Sequence, residues 1–283
     1  MTMPVAAERP NAPADAVPSR WRWASWPRSA HAGLGALTIV LAWYLVAVFG
    51  FRGSGSVPTP FAVLSQVISD LGDGTVWKAI GTTGAEAAEG YTAGNLLALA
   101  AAAVVLLVPV LEGVVTQAAV IASCVPLTAI APLIVLMSAT SSRVAAVVLA
   151  GMSVFYTTVI GTLVGLRAAD RTALDIVAVY GGGRWARLRK VQVITALPNV
   201  LTALRIAAPA AFVGALFGEF FLSGVDSGLG IMIEAAQIHY GPRPLWALAV
   251  LSAAVAGLAY AAAGLLARLA TPWAADGTTG GSA

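Results

Sequence analysis

Arg205 and Glu219 are the residues best placed to do chemistry, because both sit inside one long apolar stretch. A charge near the centre of a bilayer costs about 2.5–3.5 kcal/mol on insertion scales, so such side chains turn toward a bundle interior or a polar pathway. Gate or pathway polarity is therefore one reading of the pair. A structural role is the other, and Arg205 could also snorkel to the interface. Their spacing of about four turns puts them on one face of a straight helix without contact. Glu86 and Glu89 lie between Gly84 and Gly90. They could form a carboxylate pair for acid–base work, but a solvated helix start is the reading favoured here. His31 and His239 fall at the edges of apolar blocks, and no Cys/His cluster has metal-ligand spacing. Cys124 cannot form an internal disulfide and reads as a small buried side chain. Gly228-x-Gly230 is no phosphate loop, since no strand precedes it and no lysine follows. The sequence carries no nucleotide-binding motif, and no nucleophile–base pair for an intramembrane enzyme.

The elements that hold these residues are apolar. Of the 283 residues, 59% are hydrophobic and 10% charged, with mean hydropathy +0.85, against about 25% charged in soluble domains. The apolar residues come in blocks long enough to span a bilayer, which takes about 20 residues of helix. Six spans are expected: Leu34 to Phe51, Thr92 to Val110, Val114 to Met137, Val144 to Leu166, Val200 to Leu222 and Leu245 to Leu269. Pro126 and Pro132 in the third span, and Pro209 in the fifth, should kink their helices. Phe61 to Leu71 reads as an amphipathic segment, and Ser141-Ser142-Arg143 as a tight turn. Residues 1–33 form a tail with a Trp/Arg interfacial anchor at Trp21–Arg28, 34–270 the membrane domain, and 271–283 a Gly/Thr-rich tail. The first apolar stretch has no small-residue cleavage site after it and is expected to be retained. No convincing internal repeat is present.

The net charge is +3 and the pI about 9.3. The basic residues cluster between apolar blocks, so membrane topology explains them and nucleic acid is not implied. Arg9, Arg20, Arg22, Arg28, Arg167, Arg171, Arg184, Arg187, Arg189, Lys190 and Arg268 fall on one side of the expected spans. Arg52, Lys78, Arg143 and Arg243 fall on the other. Positive residues stay in the cytoplasm, so both termini and the 167–197 loop are expected there.

That loop is the most informative segment. Thr172 is a plausible N-cap for a short helix through Tyr180, with Asp175 at its third position against the positive end. Gly181-Gly182-Gly183 stops the helix, and a second helix restarts at Arg184-Trp185 and runs toward Pro198. A helix, a sharp turn and a helix at the membrane surface suit a groove on another protein. A solvated basic loop is the alternative on periodicity alone.

The segment Asp175-x5-Gly181-x16-Pro198, with Ala203-Leu204-Arg205-Ile206-Ala207 after it, resembles the signature of binding-protein-dependent ABC importer permeases. Val57-Pro58-Thr59-Pro60, Val125-Pro126-Leu127-Thr128-Ala129-Ile130-Ala131-Pro132, and Gly218-Glu219-Phe220 with Ser227-Gly228-Leu229-Gly230 are similar to segments of its nitrate, sulfonate and taurine branch. The sequence departs from the loop signature at Asp175 for glutamate, Ile176 and Val177 for two alanines, and Ile194 for the first proline.

The resemblance implies an all-α, type I importer fold of about six spans in the cytoplasmic membrane. It implies a dimer of permeases, homo- or heterodimeric, docked by each coupling loop on a separate ATPase that uses ATP and Mg, and served outside by a solute-binding protein. Asp175, Val179, Tyr180, Gly181, Gly182, Gly183, Arg184, Trp185 and Pro198 would form the coupling loop. Arg205, Glu219, Pro126 and Pro132 would be pathway or gate candidates. The solute would be a small anion such as a sulfonate, taurine or nitrate, or a pyrimidine or vitamin precursor. His239-Tyr240 reads as interfacial, with contact to a binding protein as the functional alternative. A stand-alone secondary carrier is the rival reading; it predicts two related halves and ionisable residues at the midplane.

Overall fold

A computed structural model describes residues 28–51, 55–138, 143–222 and 226–271. The Trp21–Trp26 part of the expected anchor, Arg52, the Ser141-Ser142 part of the turn and nearly all of the C-terminal tail lie outside the described residues. Every described element is helical: α1 Arg28–Leu45, α2 Pro60–Leu71, α3 Gly74–Leu107, α4 Glu112–Cys124, α5 Leu127–Met137, α6 Val144–Arg167, α7 Arg171–Val179, α8 Arg184–Arg187, α9 Val193–Phe220, α10 Leu229–Ala235 and α11 Pro242–Ala270. In lipid no water satisfies a backbone amide, and only the helix bonds all of its own groups within one segment.

Among the described residues, five stretches are long and apolar enough to cross a membrane: Gly33–Gly50, Gly74–Leu107, Val144–Arg167, Arg184–Phe220 and Pro242–Ala270. The third expected span is not continuous. α4 and α5 meet at 92°, and they make a sixth span only when counted together. The break falls at Val125-Pro126, where Pro126 stands as an extended N-cap to α5. A proline cannot donate to the preceding turn and pushes the residue before it out of the helical region. Pro132 is absorbed inside α5, and Pro198 and Pro209 inside α9. Cys124, expected to be buried, lies exposed at the break.

The second span also differs from its expected bounds. α3 starts at Gly74, eighteen residues before Thr92. Asp73 caps it, accepting from the Thr75 N–H at 2.8 Å. Its first half is polar enough to mask a span, yet Thr83, Glu86, Ala87 and Gly90 form one buried stripe. Glu86 is therefore not a solvated helix start; it is 4% exposed, while Glu89 faces outward.

α6 lies between α3 and α9, and small residues let the three backbones approach. A Cβ built on Gly94 would stand 2.5 Å from the Gly151 carbonyl oxygen. One on Gly218 would stand 2.3 Å from the Ala146 Cα. Apolar side chains gain nothing from leaving lipid, so close packing of this kind, with interhelical hydrogen bonds, drives helix association. Thr158 on α6 donates to Asn95 Oδ1 on α3, both buried. α11 covers α9 with Leu248 and Ala256 against its buried face. α1 is peripheral. Trp43 stacks on Trp246 of α11 with ring centroids 5.5 Å apart and donates to the Pro58 carbonyl at 3.1 Å.

One end of the bundle carries Arg167, α7, α8, Arg189 and Lys190, and is called the basic end below. The opposite end carries the starts of α3, α6 and α11.

A methyl group on Gly218 has no space to enter, so Gly218→Ala should destabilise by about 1–3 kcal/mol, the usual range for overpacking. Gly257 on α11 has nothing within 4 Å of an added Cβ, and Gly257→Ala should be neutral. Thermal unfolding of both variants in detergent checks the contrast.

Candidate functional site

At the basic end, α7 begins two residues earlier than expected. Asp170, not Thr172, is its N-cap, and it accepts from the Thr172 N–H at 3.2 Å. Asp175 thereby becomes the fifth helical residue, exposed to solvent. The helix stops as the glycines dictate. The Gly182 N–H donates to the Val177 carbonyl at 2.8 Å and the Gly181 N–H to the Ala178 carbonyl at 2.9 Å. This paired closure requires the left-handed conformation between them, and Gly181 has φ +78°. Gly182 is needed for space, since a Cβ there would meet the Val177 side chain at 2.5 Å. Gly183 is the extended N-cap of α8. α8 passes through a wider turn at Leu188–Gln192 into α9, so Arg184 to Phe220 is one continuous rod.

The turn presents an apolar surface to solvent. Val179 is 84% exposed, Tyr180 87% and Trp185 68%. Scattered apolar residues on a surface need no explanation, but three on one tight turn and the helix start after it make a patch.

At the opposite end the structure assembles a second group, of which the sequence reading singled out Glu219, Glu86 and the Gly228-Leu229-Gly230 segment. Glu219 is fully buried near the end of α9. Its carboxyl accepts from Thr83 Oγ1 at 2.8 Å and from the Gly230 N–H at 2.8 Å. Thr83 Oγ1 also accepts from the Leu229 N–H at 2.9 Å. One turn along α3, Glu86 pairs with Arg143 at the start of α6. Arg143 also donates to the Ser227 carbonyl at 2.9 Å. Glycine is required at 228 and 230, where an added Cβ would stand 2.6 Å from the Glu219 carboxyl and 2.4 Å from the Leu216 carbonyl oxygen. The arrangement is a latch: side chains from α3, α6 and α9 hold the backbone that enters α10. Thr83 and Glu86 share α3 while Arg143 and their other partners lie far along the chain, so Thr83 and Arg143 were not read as part of a site and Glu86 was read as solvated. The signal for the first two was their three-residue spacing within the α3 stripe.

Arg205 lies against α11. Its guanidinium sits over the Tyr260 ring at 4.1 Å from the centroid, in a notch that only Gly264 leaves open. Its Nε is buried without an acceptor. Arg205 and Glu219 thus meet different neighbours, and the structure does not bring them together. Pro126, Pro132 and Pro198 do not join either group. Among the described residues no cluster of three metal-ligating side chains occurs.

Thr83→Val removes the donor to Glu219 and the acceptor for Leu229 together. A buried amide left unpaired costs about 1–3 kcal/mol. Hydrogen exchange should accelerate at Leu229 and Gly230 while the α6 amides keep their protection.

Residues 94–272 match the family described as binding-protein-dependent transport system inner membrane component. The chain is 30% identical over 221 residues to the riboflavin transport system permease protein of Chloroflexus aurantiacus, covering 78% of this chain and 81% of that one. It is 31% identical over 155 residues to the formylaminopyrimidine transport permease protein of Halalkalibacterium halodurans, covering 53% and 58%. It is 24% identical over 260 residues to the taurine transport system permease protein of Escherichia coli, covering 90% and 93%. The chain belongs to the family of binding-protein-dependent transport system inner membrane components, and is a multi-pass permease subunit of an ABC importer.

Proposed function

We propose that α7, the glycine turn and α8 form the coupling element through which a separate ATPase subunit drives this permease. The observation that carries the reading is the exposed patch of Val179, Tyr180 and Trp185 on a turn closed by its own backbone bonds. A partner groove would cover it, and aromatic anchors of this kind dominate interface energy. The rod from Arg184 to Phe220 supports the transmission step. A displacement at the turn passes as a rigid-body motion along α9 toward the Glu219 latch, one way in which switching transitions work. ATP and Mg would be used by the partner, since this sequence has no motif to hold them.

The basic end is then the cytoplasmic side of the inner membrane, by the charge rule that keeps arginine and lysine inside. The opposite end, with His239 and Tyr240 exposed, faces the solute-binding protein. One subunit would form half of the path, so a second permease subunit completes it. Arg205 and Glu219 remain gate candidates in this reading, with the latch setting the outer gate. The solute is drawn from the chemistry named for the relatives, a small polar organic molecule such as a vitamin, a pyrimidine precursor or an aminosulfonate. The two relatives at 30% and 31% identity favour a heterocyclic vitamin or its precursor over the aminosulfonate of the relative at 24%.

Tyr180→Ala with Trp185→Ala should abolish co-purification of the ATPase from native membranes and solute uptake, while the permease still inserts and elutes as the wild type does. Gly181→Ala forces a side chain into the left-handed region, at about 1–2 kcal/mol, and should weaken co-purification without abolishing it. A permease that imports solute with no ATPase present overturns the reading in favour of a secondary carrier.

A further inference from the structure

At the basic end a cavity of about 470 Å³ opens between the last turns of α3 and α6, the start of α4, and the membrane-facing side of α7 and α8. Its walls include Leu106, Leu166 and Leu174, and its polar lining includes Glu112, Arg167, Arg184 and Arg187. The one carboxylate is engaged, because Glu112 pairs with Arg167. Among the described residues neither Arg184 nor Arg187 has an acidic partner. Arg187 Nε is buried and has no acceptor. A buried N–H on a cation left without an acceptor is costly, and a negative oxygen is the acceptor that best relieves it.

The depth of the cavity decides the kind of anion. α3 and α6 end here after long apolar runs, and Trp185 stands on the rim, so the opening lies where hydrocarbon gives way to headgroups. A free phosphate would satisfy the arginines and leave the leucine walls wet. A phosphodiester attached to an acyl chain satisfies both. Basic pockets between membrane helices on the cytoplasmic side are suited to such headgroups.

We propose that this cavity binds one anionic phospholipid, its phosphate held by Arg184 and Arg187 and a chain lying along Leu106, Leu166 and Leu174. Val179 and Tyr180 are not among its walls, and Trp185 on the rim is the one residue that the cavity shares with the docking patch. A lipid in that place wedges α7 and α8 away from the ends of α3 and α6 and sets the resting position of the coupling element. That regulatory consequence rests on the docking reading above; the lipid occupancy does not.

The test uses the full chain without an ATPase, in nanodiscs of phosphatidylcholine containing phosphatidylglycerol, followed by native mass spectrometry. Wild type should retain a phosphatidylglycerol molecule in preference to phosphatidylcholine. Retention should fall about fivefold for each arginine removed in Arg184→Gln and Arg187→Gln. Leu174→Trp, which fills the cavity with every arginine in place, should lose it as well. Arg189→Gln with Lys190→Gln, outside the cavity, should keep it. Equal retention across all of these variants overturns the proposal. So does a second result: inorganic phosphate alone protecting wild type but not the double arginine variant against thermal unfolding, with no lipid retained, which would make this a free-anion site. Loss of lipid in variants that still co-purify with the ATPase would separate this site from the docking surface.

Discussion

Everything in this molecule depends on the close contact of α6 with α3 and α9. In a bilayer the hydrophobic effect does not hold helices together, so the backbone must come near enough for dispersion and polar contacts to replace it. Gly90 and Gly94 open α3 to α6, and Gly214 and Gly218 open α9 to it, each with carbonyl or Cα atoms within 3 Å of where a side chain would begin. The resulting three-helix core fixes the ends of α3, α6 and α9 relative to one another. Both groups of polar residues are built on those ends.

The two ends are built by different physics. At the opposite end the polar groups meet local partners: Glu219 takes Thr83 and Gly230, Arg143 takes Glu86 and Ser227, and one Glu86 oxygen is buried without a partner. Such a network specifies one arrangement of the chain, and the unpaired Glu86 oxygen counts against its stability. At the basic end the polar groups face water or headgroups, and Tyr180, Val179 and Trp185 are left uncovered. One end therefore closes largely on itself and the other leaves apolar side chains uncovered. The continuous helix from Arg184 to Phe220 joins them, with Pro198 and Pro209 inside it.

Much of the glycine turn was legible in the sequence because its determinants are local. Three consecutive glycines can only stop a helix, and the closure at Gly181 and Gly182 follows from bonds within six residues. The N-cap was misplaced from Asp170 to Thr172 because both residue types cap well and only the backbone decides between them. The 92° break between α4 and α5 was signalled by Pro126 but not its size, since a proline permits a kink and the neighbouring helices set the angle.

By itself the sequence determined the class of molecule: long apolar blocks that only helices can carry through lipid, a charge bias that sorts their ends, and a glycine turn that local hydrogen bonding closes. The tertiary structure alone decided which polar residues are functional neighbours. Thr83, Glu86, Arg143, Glu219 and Gly230 are spread over about 150 positions, and nothing in their local spacing brings them together. Glu86 shows the reason. On a helix whose start looks polar it reads as solvated, and it is buried only because Gly90 and Gly94 draw α6 and its Arg143 against that face.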